Sequence, residues 1–197
     1  GKFVHLKALN MNIDGCIFVG PAQTFVSSSV TYAMATLFIE PVYSARIRNC
    51  RFNSGACLLQ AGGASLTDSD FRESIVVENC YFTSGYNTLV DYDLALANAD
   101  FIGYISFDRC NFANGTSAEV PIHTNTADTS RSGVVQLFVG DALVSFTNNI
   151  MNVTLSTVTG KTLYGGLMVN AYDNLSSDGD QINPVSIIGN SIFVNNK

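Results

Sequence analysis

Val77-Glu-Asn-Cys-Tyr-Phe82 is one of six segments of this chain that share a single pattern. The others are Ile13-Asp-Gly-Cys-Ile-Phe18, Ile47-Arg-Asn-Cys-Arg-Phe52, Phe107-Asp-Arg-Cys-Asn-Phe112, Phe146-Thr-Asn-Asn-Ile-Met151 and Ile187-Ile-Gly-Asn-Ser-Ile192. Aligned on the fourth position (Cys16, Cys50, Cys80, Cys110, Asn149, Asn190), they recur at steps of 34, 30, 30, 39 and 41 residues. A recurrence at this spacing is the signature of a repeat architecture, in which one supersecondary unit stacks on the next. Four of the five Cys fall in one register.

Each position in the motif carries a physical demand. The first is always apolar and the last is Phe, Met or Ile, so both are expected to form internal columns. The third is Gly or Asn in five of six repeats, the residues that tolerate a positive φ. The unit therefore reads as a strand, a one-residue bend and a second strand. The intervening segments Cys57-Leu-Leu-Gln-Ala61, Thr88-Leu-Val-Asp-Tyr92 and Gly133-Val-Val-Gln-Leu-Phe-Val139 are short and β-favouring. Helical periodicity is confined to the short stretch Asp93–Asp100. The sum is an all-β solenoid of about six coils with long loop insertions, at Gln23–Ser29, Leu94–Asp100 and Leu155–Lys161. The fourth-position Cys reads as a small, buried, reduced hydrophobe, continued by Asn149 and Asn190 as an internal ladder. The second position sets Arg48 beside Glu78, an expected surface ion pair.

Composition narrows the partners. Only 13% of the 197 residues are charged and the net charge is −6. Without a run of Lys or Arg, nucleic acid is not an expected partner. The apolar stretches are too short for a membrane helix. Five Cys with no C-x-x-C pair suggest neither a disulfide framework nor a zinc site. Asp178-Gly179-Asp180 lacks the flanking ligands of a calcium loop and reads as a turn, so no metal or cofactor is expected. The sequons at Asn114, Asn152 and Asn174 occur about as often as chance predicts. The chain begins at Gly1 without a leader, which raises the expectation of a fragment of a longer protein forming a single domain over 1–197.

The Asn-Cys-x-Phe pattern, from Met11 to Asn196, resembles the right-handed parallel β-helix proteins of the pectate-lyase type, and among them phage tailspike and tail-fibre domains. The resemblance implies a right-handed parallel β-helix. It also implies a homotrimer in the virion tail that engages bacterial surface polysaccharide. Two alternatives stay open. One is a secreted or cell-surface pectate-lyase-like enzyme, although no lyase motif is found. The other is a structural stalk or adhesin without catalysis.

A site is sought on the strand after the second bend strand. Aligning Leu59, Val90, Ile122 and Val169 as inward residues sets Gln60, Asp91, His123 and Asn170 in one outward column. Asp93, Tyr92, Tyr172 and Asp173 lie beside it. Carboxylates, amides and rings together suit a sugar groove. Asp91 and Asp93, two apart on one strand, would have Cα atoms about 6.5 to 7 Å apart. That is compatible with the two carboxyl groups of a glycoside hydrolase. Glu119 and Asp173 are alternative carboxylate partners from neighbouring coils, and His123 is a candidate base. Gln60, Tyr92, Asn170, Tyr172 and Asp173 are the candidate carbohydrate contacts. His5 has no constellation around it in the sequence.

Overall fold

The bends decide how the chain turns. Gly15, Asn49, Asn79, Arg109, Asn148 and Gly189 all have φ between 51° and 69°, so the third motif position is the left-handed corner in every repeat. The computed structural model describes residues 2–20, 24–27, 30–33, 35–53, 57–62, 74–83, 90–93, 102–114, 131–139, 141–155, 162–171 and 185–196. Among them every regular element is a β-strand.

In chain order the strands are β1 (Lys2–Asp14), β2 (Ile17–Val19), β3 (Thr24–Ser27), β4 (Val30–Ala33), β5 (Ala35–Arg48) and β6 (Arg51–Asn53). Next come β7 (Cys57–Gly62), β8 (Ser74–Glu78), β9 (Tyr81–Thr83), β10 (Val90–Asp93), β11 (Ile102–Asp108) and β12 (Asn111–Ala113). The last six are β13 (Arg131–Val139), β14 (Asp141–Thr147), β15 (Ile150–Leu155), β16 (Thr162–Ala171), β17 (Val185–Ile188) and β18 (Ser191–Asn196). Apart from the antiparallel hairpin β3–β4, all pairing is parallel.

One parallel sheet has six strands in the order β18-β15-β12-β9-β6-β2. The other has ten strands and forks at β5. The first half of β5 pairs with β7 and leads to β10, β13 and β16; the second half pairs with β8 and leads to β11, β14 and β17. The long strand β1 lies along both halves of β5. Three parallel ladders result, and in each one neighbouring strands belong to successive repeats.

The two columns expected from the motif are in lateral register. Ile13, Ile47, Val77, Phe107, Phe146 and Ile187 are partners across one ladder. Phe18, Phe52, Phe82, Phe112, Met151 and Ile192 are partners across the six-stranded sheet. Phe18, Phe52, Phe82 and Phe112 stack nearly parallel, with centroids 4.7 to 5.0 Å apart and interplanar angles of 6° to 10°. Each such contact adds about 0.5–1.5 kcal/mol beyond area burial.

The fourth position explains why Cys gives way to Asn. Cys50, Cys80 and Cys110 are buried, free thiols, whereas Cys16 is exposed. Their sulfurs lie 3.8, 3.7 and 3.6 Å from the carbonyls of Ile13, Ile47 and Val77 in the preceding repeat. Asn149 Nδ2 donates to Phe107 O at 3.0 Å, and Asn190 Nδ2 to Phe146 O at 2.7 Å. Cys and Asn therefore address one carbonyl position. Asn does more: its Oδ1 also accepts the backbone N–H of the preceding repeat, Cys110 for Asn149 and Asn149 for Asn190, both at 2.8 Å. The amides thus bind to main chain rather than to each other.

Candidate functional site

The ladder β5-β7-β10-β13-β16 carries the sequence-derived site. Its inward row is Val4, Leu37, Leu59, Val90, Val135 and Leu167. Of these, Leu37, Leu59, Val90 and Val135 are buried in the core. The row one residue on is His5, Phe38, Gln60, Asp91, Gln136 and Met168. Two residues further, Gly62, Asp93, Phe138 and Asn170 are level with one another. Along the strands both rows occupy positions that alternate with the row of Val90.

Gln60 and Asp91 are direct lateral partners, as expected. The strand next to β10 is β13, so the position assigned to His123 is taken by Gln136 and that of Ile122 by Val135. Asn170 is level with Asp93, through Phe138, and not with Asp91; Leu167 replaces Val169 beside Val135. Equal alternation fits either register, and the lateral hydrogen bonds decide between them. Tyr92 is level with Ala61 and Leu137, and Leu137 is buried core. In register Tyr92 thus falls between the rows of Asp91 and Asp93. Glu119, His123, Tyr172 and Asp173 lie outside the described residues, as do the stretch 94–100 and Asp178-Gly179-Asp180.

Sequence reasoning missed Gln136, Phe38 and His5 as neighbours of this row. Phe38 is half-buried, and exposed His5 meets its ring edge-on at 5.1 Å between centroids. Gln136 was legible within Gly133–Val139 as the polar residue of an apolar run. The signal for Phe38 was weak, because β5 is an unbroken strand serving two ladders.

A second polar surface follows the bends. Asp14 accepts from Arg48 Nε and Asn49 Nδ2, each at 2.9 Å. Asn79 Nδ2 donates to Asn49 Oδ1 at 2.8 Å, extending the chain of amides by one repeat. Asp108 accepts from Asn148 Nδ2 and Thr147 Oγ1, each at 3.0 Å, and pairs with Arg109 at 2.8 Å. Glu78 is held by Arg46 at 2.7 Å. The expected Arg48–Glu78 pair is thus not formed, although the two residues are lateral neighbours. Arg48 turns back to Asp14 and Arg46 takes Glu78.

The hydrogen bond from Asn49, aided by Arg48, holds the Asp14 carboxyl below its ordinary range. Burial pushes the Asp108 carboxyl up, but the bonds from Asn148 and Thr147 and the charge of Arg109 outweigh it, and the net direction is down. A general acid needs a raised pKa. These carboxylates are ionised and already partnered, so they serve the bends. Among the described residues no group of three His, Cys, Asp or Glu is placed to hold a metal ion.

The chain matches no protein-family model, no curated protein and no solved structure.

Proposed function

We propose that the chain forms a right-handed parallel β-helix of about six coils whose β7-β10-β13 face binds a bacterial surface polysaccharide and hydrolyses it. Asp91 and Asp93 act as the acid and its carboxylate partner, with Glu119 and His123 as further candidates for proton transfer. The setting is a phage tailspike-type protein, a homotrimer of the virion tail.

The observation that supports this reading is the side-by-side register of two aromatic residues, three amides and two carboxylates. Phe38, Gln60, Asp91 and Gln136 form one row, and Asp93, Phe138 and Asn170 the next. Successive strands stand about 4.8 Å apart, so a row presents polar groups at close to the length of one sugar unit. Amides and carboxylates bond hydroxyl groups, and a ring packs on the apolar face of a pyranose. Paired carboxyl groups are the usual means of glycoside cleavage.

The test is incubation with a panel of capsular and O-antigen polysaccharides, following chain length, new reducing ends and binding. Hydrolysis is expected, with Asp91→Asn or Asp93→Asn lowering its rate by about 10²-fold or more while the polymer still binds. Phe38→Ala should weaken binding. Binding without new reducing ends would reject the catalytic half of the proposal. Neither signal across the panel would favour the second reading, a structural stalk, which is supported by the commitment of the bend carboxylates to the fold.

A further inference from the structure

The six-stranded sheet differs from the rest of the molecule in charge. Its strands β2, β6, β9, β12, β15 and β18 contain no Asp or Glu, and Arg51 is their one charged residue. The chain as a whole carries 16 acidic residues and a net charge of −6. Phe52, Phe82 and Phe112 fill the core from the middle of β6, β9 and β12, so the residues on either side of each face outward. Two lateral rows result. Arg51, Tyr81 and Asn111 form one, and Asn53, Thr83 and Ala113 the other. Both belong to the middle of the stack, between β2 and β15.

The polar groups of the first row are uncommitted, in contrast to those at the bends. Asp14, Arg48, Asn49, Glu78, Asp108 and Asn148 are all held by neighbouring repeats. Among the described residues, the side chains of Arg51, Tyr81 and Asn111 make no hydrogen bond and no ion pair. The Arg51 guanidinium instead lies over the exposed Tyr81 ring, 5.4 Å from its centroid. That contact steadies the group and leaves its N–H donors available. The carboxylates across the bend, Glu78 and Asp108, are taken by Arg46 and by Arg109, Thr147 and Asn148.

This combination suits an acidic sugar polymer. A planar guanidinium takes a carboxylate through two parallel hydrogen bonds. The Tyr81 hydroxyl, the amides of Asn111 and Asn53 and the hydroxyl of Thr83 can bond sugar hydroxyls. Neighbouring strands stand about 4.8 Å apart, close to the length of one sugar unit. A face without carboxylates also accepts a polyanion that the acidic remainder of the molecule repels.

We infer that the outer face of β6, β9 and β12 binds a polysaccharide bearing carboxylate groups, with an acidic unit on Arg51 and the units beside it along Tyr81 and Asn111. This face belongs to a different ladder from Asp91 and Asp93, so it holds the polymer without cleaving it. The inference rests on the reading of the chain as a polysaccharide-binding protein and names the class of polymer.

The test uses the whole chain carrying Asp91→Asn and Asp93→Asn, so that polymer is held and not cut. Hyaluronan, alginate and polysialic acid, and the carboxyl-reduced form of each, are immobilised, and binding is followed by biolayer interferometry. At least one acidic polymer is expected to bind, with its reduced form weaker by about tenfold or more. Added salt should weaken the binding. Arg51→Ala should weaken it by about tenfold and Arg51→Glu abolish it, while Arg51→Lys keeps part, all at an unchanged urea midpoint. Equal binding of an acidic polymer and its reduced form would overturn the inference, as would full binding by Arg51→Glu or no binding of any acidic polymer. Phe38→Ala separates the two faces. Binding lost in that variant and kept in Arg51→Glu would assign the polymer to the β7-β10-β13 face, which keeps the proposed function and rejects this inference.

Discussion

Arg109 holds the one bend that lacks Gly or Asn. Its φ of 53° is the same left-handed value found at Asn49, Asn79 and Asn148. An ordinary side chain there costs about 1–2 kcal/mol. Its exposed ion pair with Asp108 returns little. Arg109→Asn should therefore raise stability by about 1 kcal/mol, measured as a higher urea midpoint at unchanged slope. A fall would mean that the pair with Asp108 outweighs the backbone strain. Gly15 and Gly189 meet the same demand without a side chain. The bend was legible in the sequence because the requirement is local: one φ, satisfied by a short list of residue types. The partners of Arg48 and Glu78 were not legible, since lateral adjacency leaves two reachable carboxylates and the side chains choose by geometry.

Among the elements, the short strands β6, β9 and β12 have three residues each. Strands this short hold their place through what they stack. Phe82 lies between Phe52 and Phe112, at 4.7 and 5.0 Å, and is fully buried. Phe82→Ala removes two ring contacts and leaves a cavity in the middle of the column. A loss of about 3–5 kcal/mol is expected in denaturant unfolding, and Phe82→Leu should recover part of it. An effect below about 1 kcal/mol would show that neighbouring repeats collapse into the gap. The column was readable because strand, bend and strand sit within six consecutive residues. The ladder of β7, β10, β13 and β16 was read less well. Those strands begin 7, 10, 21 and 13 residues after Cys50, Cys80, Cys110 and Asn149. No fixed spacing ties them to the motif, so alternation alone could not choose Val135 over Ile122 or Leu167 over Val169.

At the scale of the molecule, the buried thiols set a response to alkali. Burial pushes the Cys50 thiol up to about 11. The Cys80 thiol is also raised, by its hydrogen bond with Cys110 and by burial. An unfolded Cys ionises near pH 8.5. Between that pH and about 11 the unfolded chain loses protons that the folded one keeps, so stability is full below the lower value and falls as pH rises. The urea midpoint should drop from pH 8 to pH 11, and less steeply in Cys50→Ala. Equal slopes for the two proteins would assign the loss to other groups. In the same range Cys16 should react with a thiol reagent in the native state, in a Cys57→Ser background, while Cys50, Cys80 and Cys110 react only on unfolding. On the acid side, Asp14 and Asp108 act in the opposite sense. Their lowered folded pKa values give stability that is present above the ordinary carboxylate range and is lost as pH falls through the folded values.

The sequence by itself determined the repeat, the six bends, the two columns and the burial of Cys50, Cys80 and Cys110, while Cys16, expected to be buried with them, is exposed. Each of these is a local demand met within six residues and repeated six times, so the pattern is its own alignment. Tertiary structure decided which strands became neighbours across loops of unequal length, and so which polar residues share a row with Asp91. That choice is made by lateral hydrogen bonding between segments 22 to 45 residues apart, where a shift of one residue moves every side chain to the other face. It brought Gln136 and Phe38 into the row and set Asn170 level with Asp93, one strand beyond Phe138.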